Sequence, residues 1–158
     1  MAILLNKMTK EEFREYLDHL IKKYAVQNIE NGDWDEDEAL NLSKLQLTAL
    51  LPNGLETEDH FLFSLFNNKL NMNIGYLWLN IQETKQKKKG FIYDIELFDM
   101  FRGKGLGKES LEVLEDYLRS INVKSVGLHV FAKNTLARNL YLKYGFKDVS
   151  YNMSKELL

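Results

Sequence analysis

The apolar positions of this chain change period along its length. From Met8 to Tyr24 they recur at helical spacing: Phe13, Tyr16, Leu17, Leu20, Ile21 and Tyr24 fall on one face. Thr9 opens this stretch with Glu12 three residues on, which is the spacing of a capping box, and Met8 with Phe13 can form the flanking hydrophobic staple. Asn31-Gly32 ends the pattern. Asp35 and Glu38 repeat the capping-box spacing, and the acidic run Asp35, Glu36, Asp37 suits the positive end of a second helix that runs to about Leu51 and stops at Pro52-Asn53-Gly54. The period then shortens. Strands are predicted over His60 to Phe66, Ile74 to Ile81 and Phe91 to Phe98, with the polar stretch Gln82 to Lys89 as a hairpin loop. In the third strand Phe91, Tyr93, Ile95 and Leu97 alternate with Ile92, Asp94, Glu96 and Phe98.

Helical spacing returns from about Gly105 to Ser120, with Leu111, Leu114, Leu118 and Ile121 on one face. Ser125 to Phe131 reads as another strand, Asn134 as the cap of a short helix ended by Gly145, and Lys147 to Lys155 as a last strand. The order is two helices, several antiparallel strands, then strand-helix-strand-helix-strand. It predicts one mixed α/β domain over residues 1–158, built on a central sheet.

Composition narrows the function classes. With 158 residues, 45% hydrophobic and 28% charged, the chain has the make-up of an ordinary globular domain. A net charge of -2 gives no general attraction to nucleic acid. The chain has no cysteine, which excludes disulfides, thiolate metal sites and a cysteine nucleophile. The three histidines are scattered, so no metal-ligand spacing is present and no metal is expected. The N-terminus from Met1 to Asn6 is too short in apolar residues for a signal peptide, and no apolar run reaches membrane-spanning length. A soluble, cytoplasmic protein with no nucleic-acid or membrane partner, either monomer or homodimer, is expected.

The segment with the most chemistry is Arg102-Gly103-Lys104-Gly105-Leu106-Gly107-Lys108, at a strand-to-helix junction. Glycines let backbone approach a ligand, and the helix start offers unpaired amides and a partial positive charge. Together they can cradle phosphate, with Arg102, Lys104 and Lys108 adding full charges. A nucleotide P-loop does not fit, because Arg102 stands where its first glycine belongs and Glu109 where Ser or Thr should hold magnesium. The dinucleotide fingerprint would need glycine at Lys108. A flexible turn with solvated lysines is the plain alternative.

The loop and the segment C-terminal to it resemble the GNAT N-acetyltransferase superfamily. Arg102, Gly105 and Gly107 match its Q/R-x-x-G-x-G/A signature, and Asn134, Ala137, Leu140-Tyr141 and Gly145-Phe146 match its second signature in spacing and order. The resemblance covers about Gly90 to Phe146. It implies a mostly antiparallel sheet with a splayed parallel strand pair, flanked by helices. It implies acetyl-CoA as co-substrate, its pyrophosphate on the amides of Arg102, Gly103, Lys104, Gly105, Leu106, Gly107 and Lys108. The pantetheine arm is implied to pair with the backbone near Leu97, Phe98 and Asp99, and Asn134 to meet its pantetheine or acetyl end. Tyr141 matches the tyrosine that donates to the departing thiolate.

Such a transfer needs a neutral amine, and a lysine-type amine with a pKa of about 10.4 is mostly charged at neutral pH. A general base must therefore remove a proton. His129, five residues before Asn134, is a candidate because histidine titrates near neutrality. Glu96 and Asp94, on one strand face before the loop, are the others. His19 and His60 are isolated and read as structural or exposed, and Tyr144 as packing. Lys85 to Lys89 reads as a soluble hairpin tip without the aromatic interleaving of a nucleic-acid site. The implied function is N-acetyl transfer to a small-molecule or peptide amine. The alternative is a CoA-binding sensor or partner-binding module on the same fold.

Overall fold

A computed structural model describes residues 2–158. The chain opens with a strand, β1 (Ile3–Lys7), followed by helices α1 (Lys10–Glu30) and α2 (Ala39–Leu50). Strands β2 (His60–Asn67), β3 (Met72–Thr84) and β4 (Lys87–Leu97) come next, then α3 (Leu106–Ser120), β5 (Ser125–Leu128) and α4 (Thr135–Lys143). The five strands form one sheet in chain order. The first three pairings are antiparallel and β4 with β5 is parallel, which α3 makes sterically possible as the crossover.

The first helix starts where its sequence pattern places it. The Glu12 amide donates to Thr9 Oγ1 at 3.1 Å and the Thr9 amide to Glu12 Oε1 at 2.9 Å, so both halves of the capping box are made. Its apolar stripe packs on one sheet face with α2, burying Tyr16, Leu20, Ile21 and Leu47 against Leu62 and Trp78. The opposite face is covered by α3, whose Leu111, Leu114 and Leu118 are buried against Ile74, Leu77, Leu79 and Ile92. At about 1.5–3 kcal/mol per fully buried aliphatic side chain, these two layers hold the sheet between them.

Five local readings change. The strand β1 is absent from the sequence pattern because five residues are too few for a period; its pairing with β2 from Ile3↔Asn67 to Lys7↔Phe63 makes it. The helix α2 starts about a turn later than Asp35, because only the Glu38 carboxylate reaches back, to the Asp35 amide at 3.4 Å, and no side chain caps the start. The loop expected over Gln82 to Lys89 is mostly ladder: pairs Gln82↔Lys89, Glu83↔Lys88 and Thr84↔Lys87 continue past the core, and opposite charges face each other at Glu83 and Lys88. Only Lys85 and Gln86 turn, both at positive φ, as a two-residue hairpin requires. The fifth strand stops at Leu128, short of Phe131.

The last strand, expected over Lys147 to Lys155, does not form. Its alternating Val149, Tyr151 and Met153 have no neighbouring strand and stay largely exposed. Arg138 and Tyr151 instead bond Asp148, at 2.6 and 2.8 Å, which ties this segment to α4. Among the described residues, no helix is long and apolar enough to cross a membrane.

Candidate active site

The sheet opens where β4 carries an extra residue. Trp78 pairs with Asp94 but Leu79 pairs with Ile92, so Tyr93 is left over as a bulge. The bulge breaks the strand's alternation. Ile92, Ile95 and Leu97 all face the α3 core, while Tyr93 stacks on Trp78 and Asp94 and Glu96 turn toward α1. Pairing with β5 ends at the same place: Lys89 to Ile92 match Ser125 to Leu128, and nothing pairs beyond. The rest of β4 and the continuation of β5 through His129 thus diverge into a gap, the splayed pair.

At the end of β4 the Phe98 amide donates to Ile74 O at 2.8 Å. Strand alternation then points the N–H and C=O of Leu97 away from β3, toward the gap. Gly75 makes this approach of β3 and β4 possible, since a Cβ there would lie 2.1 Å from the Glu96 carbonyl oxygen. A single 3-10 turn, Asp99–Phe101, follows, and Phe101 anchors it in the core. Gly103 (φ +73) and Gly105 (φ +78) carry the chain round into α3, with open space on the Cβ side of both. Gly105 occupies the cap position of α3 and offers no side chain, so the amides of Leu106, Gly107 and Lys108 start the helix uncapped. Arg102, Lys104 and Lys108 are exposed around this turn. Gly107 sits between Leu97 and Leu140, both in ordinary van der Waals reach of a Cβ placed there, and so joins β4, α3 and α4 at the floor of the gap.

Asn134 caps α4, its Oδ1 accepting from the Ala137 amide at 3.3 Å. Further along the helix, Tyr141 is partly buried against the α3 core and edge-on to Phe146. Burial, with the Asp94 charge added, pushes its hydroxyl up to about 12. His129 is exposed just past the end of β5, its ring edge-on to Phe131 at 4.8 Å. His129 and Tyr141 both line a cavity of about 590 Å³ bounded by β5, α4 and the segment after Gly145; neither Glu96 nor the glycine loop lines it. The loop and Glu96 instead meet through Arg102. Its Nε donates to Leu97 O at 3.1 Å, and its terminal nitrogens lie 3.3 Å from Glu96 Oε1 and 2.9 Å from Asp99 Oδ1.

Three residues of α1, none of them evident as site residues in the sequence, complete the wall. Tyr16 OH donates to Asp94 Oδ2 at 2.7 Å, Lys23 Nζ to Asp94 Oδ1 at 2.7 Å and Glu96 Oε2 at 2.8 Å, and His19 Nε2 lies 2.9 Å from Glu96 Oε2. Their spacing, three then four residues, puts them on one helix face. The available signal was a polar interruption of the apolar stripe. Burial pushes the Glu96 carboxyl up, but the Lys23 charge and the bonds from Lys23 and His19 outweigh it and hold the group below its ordinary value. Among the described residues, no three His, Asp or Glu side chains gather into a metal-binding group.

Residues 15–146 match the acetyltransferase (GNAT) family. Over 157 residues, 99% of this chain and the whole of the relative, the sequence is 41% identical to the uncharacterized N-acetyltransferase YycN of Bacillus subtilis. It is 35% identical to a second uncharacterized N-acetyltransferase of that organism, YdgE, over 99% of both chains. The crystal structure of YycN superposes with a TM-score of 0.94 at 42% identity over 99% of both chains. An acetyl transferase structure from Pyrococcus furiosus shares the fold, with a TM-score of 0.65 at 23% identity over 98% of both.

Proposed function

The chain belongs to the acetyltransferase (GNAT) family, and from that premise we propose that residues 1–158 act as one domain moving the acetyl group of acetyl-CoA onto a primary amine by direct attack in a ternary complex. The observation that carries the reading is the turn into α3. Two glycines at positive φ leave open space beside an uncapped helix start, with three basic side chains around it. A diphosphate suits that chemistry: amides and helix dipole point one way, and no side chain fills the space.

In this reading the amides from Arg102 to Lys108 hold the diphosphate. The backbone of Leu97, Phe98 and Asp99 lines the pantetheine arm, and Asn134 meets its far end. Acetyl-CoA supplies the activated thioester carbonyl. The acceptor nitrogen forms the C–N bond as the C–S bond breaks; one nitrogen proton passes to a base, and the sulfur leaves as thiolate. His129, exposed at the divergence of β5, takes the base role. Glu96 is less suited, because its oxygens already accept from Lys23, His19 and Arg102. Tyr141 donates a hydrogen bond to the thiolate. With its hydroxyl near 12 and a thiol near about 8.5, complete transfer of the phenolic proton would be uphill; the acceptor, entering as an ammonium, gives one proton to the base before attack and a second, from the tetrahedral adduct, to the departing sulfur.

The test is calorimetry with acetyl-CoA, paired with thiol release across a panel of amines. Wild type should bind, and Gly105→Asp, which puts bulk and negative charge into the turn at a positive φ, should weaken binding about 100-fold or more. Equal affinity of the folded variant would remove the loop from the site, and binding without thiol release for any amine would leave a CoA-binding module.

A further inference from the structure

Lys23 is a half-buried titratable group beside the strand that borders the gap, with no part in the bond-making and proton-transfer steps of acetyl transfer. Its side chain keeps 23% of its exposure, and its ammonium lies 2.7 Å from Asp94 and 2.8 Å from Glu96. The two carboxylates sit two residues apart on β4, past the bulge, on the same side of the sheet. Their four oxygens are fully engaged: Lys23 and Tyr16 on Asp94, Lys23, His19 and Arg102 on Glu96. Tyr76 of β3 stands opposite Glu96 in the ladder and packs on Tyr16 at 4.7 Å, closing the cluster from the third side.

We propose that Lys23 is a positioning residue for acetyl transfer: it bridges Asp94 and Glu96 and thereby holds the end of β4, which borders the gap, against α1. This rests on the gap being the site of acetyl transfer. Two carboxylates that bond one ammonium in a half-buried site repel each other, and the Lys23 charge between them offsets that repulsion where the Arg102 charge reaches Glu96 alone. Burial works against the Lys23 ammonium, yet the two neighbouring charges outweigh it and raise its pKa, so the bridge stays charged. The role also explains why the cation comes from α1. Because Lys23 and Tyr16 both bond Asp94, the helix that covers one face of the sheet is locked to the strand that borders the gap. Lys23 touches no reacting atom; it acts through Asp94 and Glu96.

The test uses Lys23→Ala, with Lys23→Gln as a second variant that keeps hydrogen-bonding capacity without the charge. Lys23→Ala removes four heavy atoms, the number in trimethylammonium, a cation with no hydrogen pair to acetylate. With an amine identified in the panel, the variant should lose about tenfold or more in kcat, with the acetyl-CoA Kd unchanged and the acidic limb of its pH-rate profile moved to higher pH. Added trimethylammonium should restore part of the loss in Lys23→Ala and none in wild type. A profile of unchanged shape with no rescue would reduce Lys23 to a structural contact and overturn the proposal, as would loss of acetyl-CoA affinity in the same proportion as kcat. If Lys23→Ala does not fold, Lys23→Gln carries the same pH comparison. If wild type acetylates no amine, the parent reading fails separately. Carboxyl NMR titration of Asp94 and Glu96 then decides the clamp: one of the two should titrate at higher pH in the variant, and identical titration curves would refute it.

Discussion

At the residue scale, the groups with assigned roles differ in how they are held. Tyr141 is fixed by packing on two sides and keeps its proton far above neutral pH. Tyr141→Phe preserves the ring and removes only the donor, so kcat should fall about tenfold or more while acetyl-CoA affinity stays at the wild-type value. Single-turnover rates and calorimetry on the same preparation check this; an unchanged chemical step takes Tyr141 out of the mechanism. His129 is exposed just past the end of β5. His129→Gln should lose rate at neutral pH and recover much of it at high pH, where the amine deprotonates unaided. A pH-rate profile that tracks wild type throughout would assign proton removal elsewhere. Arg102 is the residue whose present contacts most directly oppose its assigned role. It is tied to Leu97 O, Glu96 and Asp99, and in the proposed complex it would exchange at least part of this set for phosphate.

At the scale of elements, the α1–β4 contact concentrates partly buried charge, and it fixes how stability follows pH. The folded state depresses Glu96 and Glu12, so the stability they add is fully present above their unfolded pKa of about 4.3 and lost as pH falls through their folded values. It raises Lys23, whose contribution is fully present below about 10.4 and lost as pH climbs through its folded value. Tyr16 and Tyr141, also raised, lose stability on the same alkaline side. His60, whose pKa burial lowers, adds a loss of stability as pH falls through its unfolded value of about 6.5, so the thermal midpoint should be nearly flat from about pH 7 to about pH 10 and drop outside that window. Glu96→Gln should show a lower plateau and a shallower acid fall; parallel curves for the two proteins would mean that Glu96 does not carry the acid sensitivity. The bulge at Tyr93 belongs to this scale as well. Without it Asp94 and Glu96 would keep strict alternation with Phe91 and Tyr93, and Ile92 would share their face instead of the α3 core.

At the scale of the whole molecule, the chain wraps one twisted sheet between two apolar layers and leaves a gap where the parallel pair parts. Much of this was legible in the sequence, because the signals involved are local. Helical spacing in α1 and α3, the capping box at Thr9, the glycines of the loop and the turn chemistry after α4 depend on residues within a few positions of one another. Those same local signals carried the family resemblance, since a phosphate cradle is made of consecutive backbone amides. What local pattern cannot hold is partnership between distant segments. Whether Ile3 to Lys7 becomes a strand depends on an edge sixty residues later, and the alternating residues after Lys147 stay unpaired for want of one. The bulge at Tyr93 is a matter of register between β3 and β4, invisible in either strand alone. It turns two carboxylates toward a helix seventy residues upstream, and only there does Lys23 meet them. The sequence alone thus determined the periods, the caps and the glycine loop; the tertiary structure decided which charges neutralise each other, because an ion pair is a property of distance in space and not along the chain.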